Sequence, residues 1–197
     1  MPFPTQLSLH LPDWLPEWLE TRSGATASVE ERMRLTIDLS RENVERGTGG
    51  PFGAAVFECG SGRLVSGAVN TVLASRTSIA HAETLALALA QQEVGSHTLS
   101  AEGLPSMELV ASSQPCVQCF GNTWWSGVKG LLIGARASDV EKLTGFFEGP
   151  LPDDWVQLLE NRPAPLPAIM VTRDVLRDEA TEVLRLYRDS GAPVYNA

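Results

Sequence analysis

Residues 107–135, MELVASSQPCVQCFGNTWWSGVKGLLIGA, decide the fold. The apolar run 107–111 reads as a strand, 116–125 as a helix opened by Pro115, and 128–135 as a second strand. Strands separated by a helix have the crossover that parallel pairing requires. Working outward, 54–59 and 64–69 read as two strands around the turn Gly60-Ser-Gly62. That connection is too short for a parallel pair. The alanine- and leucine-rich run 80–93 is a helix. Ser28, with Glu31 three residues on, forms a capping box for a helix running to about residue 46, whose apolar side carries Met33, Ile37 and Val44. Pro163, Pro165 and Pro167 stiffen a connection into a fifth strand at 168–172. A last helix at 174–189 has Val175, Leu176, Val183, Leu184 and Leu186 as its apolar set. Alternating strands and helices specify an α/β fold, with a mixed sheet covered on both sides.

The 197 residues suit one domain over 29–197, preceded by an irregular arm over 1–28 whose Trp14 and Trp18 are expected to pack on it. Hydrophobic residues make up 43%, enough for a buried core. The net charge of -9 disfavours polyanions, so no nucleic-acid partner is expected and a small neutral ligand is. No apolar run is long enough to cross a membrane, and residues 1–20 lack the basic start and apolar run of a secretory signal. The three cysteines are Cys59, Cys116 and Cys119, and two of them sit three apart. That pattern favours metal binding in a reducing cytoplasm over a disulfide framework.

The chemistry is carried by His81-Ala-Glu83 and Pro115-Cys-Val-Gln-Cys119. A Cys-x-x-Cys pair at a helix start puts both sulfurs on one side of the first turn, where the helix end favours thiolates. Cys116, Cys119 and His81 make three zinc ligands and leave the fourth position for water, as catalytic zinc sites do. Zinc in such a site brings water to a pKa near neutrality, and Glu83 is positioned in sequence to take the proton. A Cys-x-x-Cys alone also fits a redox pair, but a redox pair has no use for His-Ala-Glu. Cys59, ending a strand, reads as an inert core thiol. The joint pattern of His-x-Glu and Pro-Cys-x-x-Cys is that of zinc nucleobase deaminases.

On these motifs, together with Gly50-Pro-Phe-Gly-Ala54, Asn70, Trp125-Ser-Gly127 and Gly145-Phe-Phe-Glu-Gly-Pro150, the sequence resembles the cytidine deaminase-like superfamily. Within it, the resemblance is to bacterial guanine deaminases, with tRNA adenosine deaminases as neighbours. It implies a three-layer α/β/α sandwich, a five-stranded sheet ordered 2-1-3-4-5, a homodimer, and hydrolytic deamination of a free base, with guanine first. It also implies that Asn70 hydrogen-bonds the base, that Glu148 is a second catalytic acid, and that Tyr195 belongs to a flap over the site. The residues themselves leave Glu148 readable as a solvated loop acid.

Phe52 and Trp125 are aromatic candidates for the walls of a substrate pocket. Ala82, between the histidine and the glutamate, is carried with them as a substrate-contacting position. Asn122, three residues beyond Cys119, lies near the ligand-bearing face of its helix and reads either as a substrate contact or as a structural amide. Gln114, Asn122, Trp124 and Phe147 depart from the family pattern. They leave open a different ring, such as an aminotriazine, a pterin, cytosine or a nucleoside. A zinc-stabilised protein without catalysis is the remaining alternative, and Glu83 argues against it.

Overall fold

The computed structural model describes residues 3, 5–24, 26 and 28–195. The chain runs α1 (Leu15–Glu20), α2 (Val29–Glu45), β1 (Gly53–Glu58), β2 (Leu64–Val69), α3 (Val72–Ser75), α4 (Ala82–Glu93), β3 (Met107–Ser113), α5 (Val117–Ser126), β4 (Gly130–Ala135), α6 (Ala137–Thr144), α7 (Trp155–Glu160), β5 (Met170–Thr172) and α8 (Arg177–Asp189). The five strands form one sheet in the order β2-β1-β3-β4-β5. β1 is antiparallel to both β2 and β3, while β3, β4 and β5 are parallel. The 107–135 segment is thus a β3-α5-β4 crossover, as read from the sequence.

Side chains alternate across a strand, and both faces of this sheet are buried. On β1, Ala55 and Phe57 enter one core with Met33, Ile37 and Leu39 of α2 and with Val183 and Leu184 of α8. Ala54 and Val56 enter the other, with Leu85 and Ala86 of α4 and Trp155 of α7. β4 repeats the pattern: Leu132 faces the first core, Leu131 and Ile133 the second. This is the three-layer α/β/α sandwich. The Ser28 hydroxyl accepts from Glu31 N and the Glu31 carboxylate accepts from Ser28 N, both at 3.1 Å, completing the expected capping box.

One expectation needs correction. The segment before residue 28 is not irregular throughout. It contains α1, whose Leu15 and Trp18 are buried in the first core. A six-residue helix is too short to show a period, and it holds because tertiary packing supplies what helix nucleation lacks. The helices α3, α6 and α7, of four to eight residues, escaped the sequence reading for the same reason. No helix among the described residues is long and apolar enough to cross a membrane.

Candidate active site

The two motifs meet at two helix starts. His81 is the N-cap residue of α4 and Cys116 that of α5, both with extended backbone. Cys119 follows in the first turn of α5. His81 Nδ1 lies 3.5 Å from Cys116 Sγ and 3.5 Å from Cys119 Sγ, and the three ligand atoms all fall within 4.8 Å of one another. Zn–S and Zn–N bonds of about 2.3 and 2.0 Å at a tetrahedral angle separate sulfur from nitrogen by about 3.5 Å. The protein atoms therefore stand at zinc-ligand spacing.

The charges fit as well. Hydrogen bonding to Cys119 and His81 outweighs burial and pushes the Cys116 thiol down to about 4. The Cys116 sulfur and burial hold Cys119 well above the ordinary thiol range. His81 is raised: burial opposes this, but Cys116, Glu83 and Glu148 outweigh it. Two sulfurs and one imidazole nitrogen converging in this way are the soft donor set that a divalent zinc ion takes. Cys59, just beyond β1, is outside this cluster. Burial, then the nearby Glu108, raises its thiol, as suits an unreactive side chain.

A cavity of about 680 Å³ opens over the ligands. His81, Glu83, Cys116, Phe52, Asn70, Glu148 and Tyr195 all border it. Glu83, in the first turn of α4, is buried. Desolvation, followed by the Cys116 charge, raises it to about 7. Glu148 lies in the loop after α6, and its carbonyl accepts from Val117 N at 2.9 Å, so the loop is docked on the start of α5. Gly149 permits this approach: its φ is +76°, and a Cβ there would sit 2.6 Å from Val117 Cγ1. Burial first, then Cys116 and Glu83, push Glu148 up to about 8. Phe52 packs on Phe146 with ring centroids 5.6 Å apart.

Some expected substrate contacts lie elsewhere. Cys119 and Ala82 are fully buried behind the cavity wall, which suits a ligand but gives the Ala82 side chain no face on the cavity. Trp125 is 73% exposed and does not border the cavity. One step along α5 from Trp124, which packs on the second core, it is turned to the outside. Asn122 is also off the cavity, and its Nδ2 donates to Thr84 Oγ1 at 2.7 Å. Of its two readings, the geometry matches the structural amide.

The bordering or supporting residues not singled out as site residues include Gln114, Phe146 and Asn43. Gln114, noted in sequence only as a departure, and Phe146 border the cavity. Asn43 is fully buried on α2 and donates to Gly50 O at 2.8 Å and Asn70 O at 3.0 Å, tying together the two segments that flank Phe52. An amide at an inward position of α2, where a buried polar group needs partners, was the available signal for Asn43.

Residues 26–135 match the family model for the cytidine and deoxycytidylate deaminase zinc-binding region. The chain belongs to that family. It is a zinc-dependent hydrolytic deaminase, and His81, Cys116 and Cys119 are grouped so that they could hold its metal ion. It is similar to the guanine deaminase of Nitrosomonas europaea, with 44% identity, a TM-score of 0.87, and coverage of 96% of this chain and 100% of that one. A structure in complex with 2,6-diaminopurine is 45% identical, with a TM-score of 0.84 over 96% of this chain and 97% of that one. The guanine deaminase of Bacillus subtilis (strain 168) is 27% identical over 143 residues, which is 73% of this deaminase and 86% of that protein.

Proposed function

We propose that this deaminase converts guanine and water to xanthine and ammonia. The reading is carried by one convergence. Asn70, Glu83 and Glu148 border one cavity with His81 and Cys116, in a chain that aligns with the whole of a guanine deaminase at 44% identity.

His81, Cys116 and Cys119 would hold the zinc. When bound, zinc makes a water nucleophilic near neutral pH. The Glu83 carboxylate takes a proton from the attacking water and delivers it to a ring nitrogen. The water oxygen bonds to the ring carbon that bears the amine, and the bond from that carbon to the amine nitrogen breaks. Glu148, with its carboxyl raised to about 8, gives its proton to the departing nitrogen, and the proton released from the new ring hydroxyl as the carbonyl forms returns Glu148 to its protonated state. Phe52, backed by Phe146, supplies an apolar wall for the ring, and Asn70 meets its polar edge. The cavity walls limit water around these transfers, so each charge acts in a lower dielectric.

The same reading takes the active form as a cytoplasmic homodimer that uses a small base and no nucleic acid. It treats residues 29–197 as the catalytic domain and 1–28 as an arm laid against it. Sedimentation of the purified protein checks the dimer. The substrate is checked by ammonia release from guanine, cytosine, adenine, an aminotriazine, guanosine and cytidine under one condition. Guanine is expected to give the highest kcat/KM. Turnover of another member without guanine would move the assignment to that ring, and Gln114 is then the first residue to substitute.

A further inference from the structure

Asn70 is only 2% exposed and borders the cavity at the end of β2. Its side-chain oxygen holds two hydrogen bonds, from Tyr195 Oη at 2.7 Å and from Val72 N at 3.3 Å. A backbone N–H only donates, so the Asn70 atom facing Val72 is the oxygen and not the amide nitrogen. The Tyr195 hydroxyl meets that same oxygen and must donate to it. Both acceptor positions of Oδ1 are then filled, and the group left for a ligand is Nδ2 with its two donors. Asn43 fixes the backbone beneath by binding the Asn70 carbonyl.

Tyr195 reaches Asn70 across 125 residues of chain. Its ring stands edge-on to Phe146, with centroids 4.8 Å apart. Its hydroxyl occupies space that residue 50 leaves open: a Cβ on Gly50 would come within 2.2 Å of it. Burial, then Tyr187 and Glu148, raise the phenol above its ordinary range, so it keeps the proton it donates.

We infer that Tyr195 is a positioning residue that locks the Asn70 amide with its N–H donors toward the substrate, and so selects a ring bearing an oxo group at that edge over one bearing an amino group. The inference rests on the proposed deamination of a free base and adds a basis for selectivity. An unrestrained asparagine can turn its amide to suit either edge. Here a turn would set the amide N–H groups against the Val72 N–H and the Tyr195 O–H, losing two buried hydrogen bonds. An amino-bearing edge must accept that loss or face an unpaired donor, and sites built around a hydrogen bond reject such analogues strongly.

The test compares guanine with 2,6-diaminopurine, which replaces the oxo group by an amine. Dissociation constants are measured by calorimetry on zinc-loaded protein in a Glu83→Gln background, so that neither ligand is consumed. With Tyr195 present, guanine is expected to bind at least about 10²-fold tighter. Tyr195→Phe keeps the ring on Phe146 and removes only the donor, and it should narrow that ratio roughly tenfold at unchanged zinc content. Asn70→Asp, whose carboxylate has no donor, should shift the ratio further toward 2,6-diaminopurine. Equal weakening of both ligands by Tyr195→Phe would reduce Tyr195 to a packing residue and overturn the inference, as would the absence of a guanine preference in the parent. Xanthine formation by the wild-type protein is read separately. Its absence defeats the proposed substrate, while the binding ratio alone decides the role of Tyr195.

Discussion

Asn122 Nδ2 donates to Thr84 Oγ1 at 2.7 Å, and Thr84 Oγ1 lies 3.8 Å from Cys119 Sγ. This chain of contacts joins α5 to α4, the two helices whose starts carry the ligands. With its oxygen accepting from Asn122, Thr84 is free to turn its own proton to the sulfur. It thereby favours the thiolate form of Cys119 that a metal needs.

Asn122→Ala should therefore weaken zinc binding without touching a ligand. Groups that orient metal ligands typically contribute about 10- to 100-fold in affinity. Competition against a chromophoric chelator measures it, with Cys119→Ala as the reference for loss of a ligand. An Asn122→Ala protein that holds zinc as tightly as wild type would contradict this role.

The ligands were legible in sequence because their chemistry depends on local spacing. His81 and Glu83 are two apart, Cys116 and Cys119 three apart, and each motif opens a helix. The long elements were legible for a related reason: α2, α4, α8 and the paired strands have enough residues to show a period or an apolar run. Spacing leaves Asn122 open between substrate contact and structural amide, and points Trp125 at a pocket wall, because it gives a helix face but not what stands opposite it. In the structure, Thr84 stands opposite Asn122, and solvent stands opposite Trp125. Asn43 and Gln114 are supporting or bordering groups whose partners come from distant segments, and one sequence does not display those pairings.

The Arg32–Glu108 ion pair links α2 to β3 at 2.6 Å, with side chains only 10% and 11% exposed. Burial raises the Glu108 carboxyl despite Arg32 beside it. A carboxyl whose folded pKa exceeds its unfolded value binds more protons when folded. Its contribution to stability is therefore greatest at low pH, and it declines as pH rises from the ordinary value of 4.5 through the raised one. Losing one partner strands a buried charge, so Glu108→Ala should cost about 3–5 kcal/mol at pH 7. The double variant Arg32→Met/Glu108→Leu should recover most of that loss. Urea denaturation at pH 5 and pH 7 reads both effects. A double variant as unstable as the single one would show that the pair is a net asset.

Under the proposed mechanism, Glu148→Gln removes the proton offered to the departing amine, while the backbone bond to Val117 stays in place. kcat should fall by about 10²-fold or more, with zinc content unchanged. Steady-state kinetics beside metal analysis checks it. Normal kcat would leave Glu148 as a cavity-lining loop acid with no part in the reaction.

The central claim is a zinc-dependent deamination in which Glu83 moves the proton. The most direct measurement is xanthine and ammonia formation from guanine by zinc-loaded wild type and Glu83→Gln, with zinc per chain determined on the same samples. The account predicts one zinc per chain in both proteins, equal yields of xanthine and ammonia from the wild type, and a rate about 10²- to 10⁴-fold lower for Glu83→Gln. Near-normal turnover by Glu83→Gln at full zinc content would contradict it.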